Sequence, residues 1–173
     1  EIAEANGLEE ENRLERRKLA LVLAYLGRRE ESIALSEENV SEAQARGELF
    51  AIETDCSNIG ANYWALGNLE QARTAYEGAH AASMELRNGR PYWPVLYNLA
   101  LVYLDLGLLD DGLAVANEGL RITQADDEPF GVSMCLFLVS RYHRYRGNFP
   151  AALSTNYEAM IRRRKIGFLY WTF

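Results

Sequence analysis

Four glycines, Gly27, Gly67, Gly107 and Gly147, stand 40 residues apart along the chain. With glycine at about 7% of residues, three further hits from one starting glycine have a chance of about 3 in 10,000. Neighbouring positions keep the same register. Eight before each glycine stand Leu19, Ile59, Leu99 and Val139, and seven before stand the small residues Ala20, Gly60, Ala100 and Ser140. Four before come Leu23, Tyr63, Tyr103 and His143, and five after come Ser32, Ala72, Gly112 and Ala152. A chain built on one such period must repeat a single supersecondary unit, each copy burying its apolar face against the next.

The spacing within each copy identifies the unit. Apolar residues recur at three and four on both sides of each glycine, the period of a helix. The glycine therefore ends one helix and opens a tight turn, where a positive φ costs it little. Start signals follow: Asn68 and Asn148 directly after the glycine, Asp110 three after, and Pro150 at the head of a helix. First helices are expected at about 8–26, 48–66, 91–106 and 129–146, and second helices at about 30–46, 70–87, 110–125 and 150–166. The small column lets two backbones approach closely, with an aromatic on the facing turn filling the remaining space; Gly60 with Tyr63 and Ala100 with Tyr103 read as such pairs. Gly7, Gly47 and Gly167 form a second 40-residue register, matched by Arg87 and Asp127. The repeats thus fall at about 8–47, 48–87, 88–127 and 128–167 within one domain, with partial repeats at 1–7 and 168–173. Glu1 to Asn6 align with the tail of a preceding second helix and Phe168 to Phe173 with the start of a fifth first helix, as in a piece cut from a longer array.

Composition narrows the partner. Eighteen Lys and Arg against 25 Asp and Glu give a net charge of −7, which argues against nucleic acid or an anionic membrane, since both need a basic face. The basic run Arg162 to Lys165 falls at a helix end, where it complements the helix dipole. No apolar stretch approaches the ~20 residues that cross a bilayer. Cys56 and Cys135 lie 79 residues apart within helical patterns and read as small core hydrophobes in a reducing compartment, so the expected location is cytoplasmic. No phosphate-binding loop, zinc-protease motif, nucleophile elbow or Cys/His cluster is present, so the chain is expected not to be an enzyme and to need no cofactor or metal. His143, in the tyrosine column, reads as a packed histidine, and His80 as a partly exposed one. The pairs Asp110-Asp111 and Asp126-Asp127 read as turn and capping residues.

The segments IGANYWALGNLEQARTAYEGA, from Ile59, and NLALVYLDLGLLDDGLAVANEG, from Asn98, resemble tetratricopeptide repeats. The likeness rests on a leucine–small pair, a tyrosine three or four on, Leu-Gly, a turn, and alanines in the second helix. The 40-residue period departs from the usual 34 and resembles the long-helix branch of that family, which includes kinesin light chains, Leu-Gly-Asn adaptors and bacterial maltose-activator-type regulators. HEAT and armadillo repeats share the period without the pattern. The resemblance implies an all-α superhelical solenoid of antiparallel hairpins that binds a protein or peptide, within an intracellular signalling or transcription-regulating protein. Two other readings are a ligand-sensing domain that relays a small-molecule or peptide signal to an attached effector, and an oligomerisation module.

By the same resemblance the first helices line a concave groove. The residues expected there are Arg17, Tyr25, Asn58, Trp64, Tyr97, Asn98, Asp105, Arg141, Arg144 and Tyr145. Asn58 and Asn98 occupy a column that in some relatives bonds a peptide backbone or carboxylate; a bond to a neighbouring helix is the equal alternative. The basic residues of a carboxylate clamp are incomplete, because Leu21, Pro94 and Asn98 fill its other columns. Three arginines against one aspartate favour an acidic partner segment with apolar anchors. The apolar cluster Phe168, Leu169, Tyr170, Trp171 and Phe173 favours self-association through exposed end helices.

Overall fold

The computed structural model describes residues 2–167, and side chains from Glu11 onward. Eight α-helices follow one another among the described residues: α1 (Ile2–Tyr25), α2 (Arg29–Arg46), α3 (Leu49–Ala65), α4 (Leu69–Leu86), α5 (Trp93–Asp105), α6 (Leu109–Ala125), α7 (Pro129–Tyr145) and α8 (Phe149–Lys165). The fold is the expected all-α helical repeat, and most boundaries fall within a residue or two of the expected ones. The chain divides into two compact units between Arg90 and Pro91. In the first, α1 to α4 pack in sequence and α1 also touches α3; in the second, α5 to α8 pack in sequence and α5 also touches α7.

The register glycines make the turns. Gly27, Gly67, Gly107 and Gly147 all take φ between +72° and +80°, and the N–H that follows each reaches back five residues, as Asn68 does to the Tyr63 carbonyl at 2.9 Å. This Schellman closure satisfies carbonyls that the helix end leaves open. The second register is less uniform. Gly47 and Asp127 are left-handed, but Arg87 is not, and Asn88 and Gly89 take the positive φ instead. With Pro91 and Pro94 following, α5 starts only at Trp93 and is 13 residues long where α3 and α7 have 17. At the other end, α1 runs through Gly7 without the turn its register implied, because strong helix formers flank a single glycine whose cost is only about 1 kcal/mol. The alignment of Glu1–Asn6 with a separate preceding helix therefore does not hold over Ile2–Asn6. Phe168–Phe173 lies outside the described residues.

Within each hairpin the two small columns face each other. Ser32 donates to the Ala20 carbonyl at 2.7 Å, and Ser140 donates to the Ala152 carbonyl at 2.8 Å. A Cβ on Gly112 would lie 3.3 Å from the Ala100 carbonyl oxygen. The aromatic that fills the space over Gly60 is Tyr76 of α4, whose ring is 2.9 Å from where a Cβ would sit. Tyr63, expected in that role, instead points its phenol at Glu37, 3.4 Å away. In the second unit Ala100, Leu104, Ala116 and Leu138 form a buried cluster, and a leucine as fully enclosed as Leu138 contributes about 1.5–3 kcal/mol. Cys56 and Cys135 are buried and unpaired, with their thiols pushed up by burial to about 11 and about 12, as inert core residues should be.

Candidate protein-interaction site

In the first unit Arg17 is held from below. Its Nε donates to both oxygens of Asp55 at 3.2 and 3.1 Å, and its Nη2 donates to Oδ2 at 3.0 Å. Asp55 has no exposure, and burial pushes its carboxyl above the ordinary value while the Arg17 hydrogen bonds pull it back. Beside it α3 carries a second buried carboxylate. Glu53 accepts from Ser83 at 3.2 Å and from Arg87 at 2.8 Å, tying α3 to the end of α4. Asn62, also buried, donates to Ser32 at 3.0 Å and accepts from Arg29 at 3.2 Å. What remains open on the face of α1 is apolar: Leu14 and Leu21 are exposed, and Tyr25 almost fully so. An open groove of about 550 Å³ runs from Leu14 and Arg17 to Phe50 and Leu86.

The second unit gathers the other predicted charges into one cluster. Asp105 of α5 accepts from Arg141 of α7, and the Tyr145 hydroxyl donates to the same carboxylate at 3.3 Å. Arg141 also donates to the Tyr145 oxygen at 2.6 Å. The guanidiniums of Arg141 and Arg144 lie 5.5 and 5.4 Å from the centre of the Tyr145 ring, close enough for cation–π attraction. Burial works against the charge on Arg141, but its bonds to Tyr145 and Asp105 prevail and raise its pKa. Tyr97 is mostly buried, and desolvation raises its phenol against the pull of Arg163 and Arg141. Arg163 crosses from α8, donates to Ser133 at 3.2 Å and sits 5.7 Å from the Phe137 ring centre; burial lowers its pKa.

These hairpins match a known repeat. Residues 56–79, within α3 and α4, match the tetratricopeptide repeat family, and so, by a second family of the same description, do residues 93–118 within α5 and α6. The chain carries tetratricopeptide repeats. No curated protein sequence matches the chain. Tetratricopeptide repeats generally mediate protein–protein interaction and scaffolding, and all-α repeats of this type are typically non-catalytic. No helix among the described residues is long and apolar enough to cross a membrane.

The repeats distribute the predicted groove residues unevenly. Asp105, Arg141, Arg144 and Tyr145 form one contiguous group. Arg17 is committed to Asp55, and Tyr25 and Trp64 are exposed at the ends of α1 and α3. Asn98 is half-buried; Asn58 is too, its carbonyl accepting from Asn62 at 3.0 Å while its own Nδ2 is enclosed without a partner among the described residues. Of the three arginines expected to make the groove basic, two neutralise carboxylates of their own unit. Arg144 is exposed and makes no ion pair among the described residues. The residues the sequence reading passed over are Glu53 and Asp55. The available signal was that their columns otherwise hold Arg13, Trp93 and Ser133 in one case, and Glu15, Val95 and Cys135 in the other.

Proposed function

We propose that this tetratricopeptide scaffold seats an acidic partner segment with apolar side chains on the first-helix face of its second unit, around Arg144, Tyr145 and Arg141. The observation that carries the reading is the exposed Arg144 lying over the ring of Tyr145, whose hydroxyl is pinned by Asp105 and Arg141. A flat aromatic held in one orientation loses little entropy on binding, and an unpaired guanidinium beside it attracts a carboxylate. The segment is a stretch of another protein, and its setting in this reading is an intracellular signalling or transcription-regulating assembly. Arg141 supports the site by orienting Tyr145 while its charge balances that of Asp105.

The test is capture of partners by the wild-type chain, followed by titration of each with Arg144→Glu and with Tyr145→Phe. Reversing an exposed charge should weaken binding about fivefold, around 1 kcal/mol, mainly by slowing association and more at low salt. Tyr145→Phe keeps the ring but frees it from Asp105 and should weaken binding less. Affinities unchanged by Arg144→Glu at low salt would remove this surface from the function.

A further inference from the structure

Within the first unit an open groove of about 570 Å³ runs between α2 and α4 over α3. Its floor is apolar, made by Cys56 and Ile59 of α3 and Ala75 of α4, while Glu37 of α2, Tyr63 of α3 and Glu70 of α4 stand on its rim. From Cys56 to Tyr63 the floor covers about 10 Å of helix, the reach of three extended residues of another chain. The rim stays acidic after its own ion pairs are counted. Among the described residues Arg73 is the single base that lines the groove, and it is shared between Glu70 at 3.0 Å and Glu77 at 3.7 Å. Glu37 is exposed and makes no ion pair among the described residues; it accepts a hydrogen bond from the Tyr63 hydroxyl at 3.4 Å. The whole unit leans the same way: residues 1–90 hold 17 Asp and Glu against 10 Lys and Arg, whereas 91–173 hold eight of each. Nor is the rim a by-product of the repeat. Eighty residues on, the positions of Glu37, Tyr63 and Glu70 hold Asn117, His143 and Pro150.

The second unit shows what such a tyrosine–carboxylate pair takes when it is complete. There the Tyr145 hydroxyl donates to Asp105 at 3.3 Å, and Arg141 donates to both the carboxylate and the tyrosine oxygen. Tyr63 and Glu37 make the same kind of pair between two packed helices, without an arginine of their own among the described residues. We propose that an arginine from another protein completes it, donating to Glu37 against Tyr63. The aliphatic side chain two residues along, which an extended segment turns to the same side, then covers Cys56, Ile59 and Ala75. A guanidinium is the cation that fits, because it offers a planar fork to a carboxylate and packs on an aromatic ring. The occupant is thus a short apolar segment bearing arginine, opposite in charge to the one proposed for Arg144, and neither surface depends on the other.

The test is a titration of the isotope-labelled full chain with the peptide Gly-Leu-Ser-Arg-Ser-Leu-Gly, followed by amide shifts in NMR spectra. The shifts should saturate and centre on Glu37, Tyr63 and Thr74. A peptide with citrulline for arginine keeps the shape without the charge and should bind about fivefold more weakly. Glu37→Gln, its fold confirmed by circular dichroism, should weaken the arginine peptide by a similar factor, and more at low salt. Glu85→Gln removes an equal charge from an exposed position elsewhere on α4 and should leave the affinity unchanged. Shifts that spread over the acidic surface without saturating, or that centre on α7, would overturn the proposal. So would a citrulline peptide that binds equally well, an affinity untouched by Glu37→Gln, or an equal loss in Glu85→Gln.

Discussion

Asp55 is a carboxylate with no solvent exposure, and it is tolerated because a guanidinium from the preceding hairpin reaches it with three hydrogen bonds. Such a pair adds little over apolar residues of the same size, but removing one partner leaves a buried charge and costs about 3–5 kcal/mol. Arg17→Met should therefore destabilise the protein by about that amount at neutral pH in urea titrations, and Arg17→Met with Asp55→Leu should recover most of it. The pH dependence has a definite sign. Burial raises the folded pKa of Asp55 above its unfolded value, so its contribution is fully present in acid and is lost as pH rises through the folded pKa. Without Arg17 that pKa rises further, so the deficit of Arg17→Met should shrink as the pH is lowered. A deficit constant with pH would mean that packing, not charge, sets the cost.

At the scale of helices, a residue without a side chain matters more than most that have one. Gly60 lies under the Tyr76 ring, and an added Cβ would approach it to 2.9 Å. Helix propensity alone favours alanine there by about 1 kcal/mol, whereas overpacking a rigid ring costs about 1–3 kcal/mol. Overpacking should win: Gly60→Ala should lower the thermal midpoint, and adding Tyr76→Leu should restore part of the loss. A midpoint raised by Gly60→Ala alone would show that the α3–α4 contact can slide. The helices themselves were legible because their signals are local. A 3.6-residue apolar period and a glycine that tolerates positive φ need no knowledge of the rest of the chain. The partner of Gly60 was not legible: Tyr63 is one turn away along the same helix, but Tyr76 arrives from the facing one, and only the inter-helix offset chooses between them.

Among the described residues the connections between helices are two or three residues long except at 87–92, where Asn88 and Gly89 take positive φ and Tyr92 is extended. Exposed backbone of that kind is where proteases cut first. Limited subtilisin digestion should make its first internal cut within 87–92, read by mass spectrometry; an earlier cut at one of the glycine turns would contradict this. The sequence by itself determined the period, the hairpins, the turn glycines and, through them, the repeat family, because each is written in spacings shorter than one repeat. It also singled out Asp105, Arg141, Arg144 and Tyr145 as positions on the first-helix faces. Only the tertiary structure decided what those charges do. Asp55 meets Arg17 across 38 positions and Asp105 meets Arg141 across 36. Such pairings depend on the angle and offset at which packed helices cross, which side-chain packing sets and no periodicity along one helix encodes.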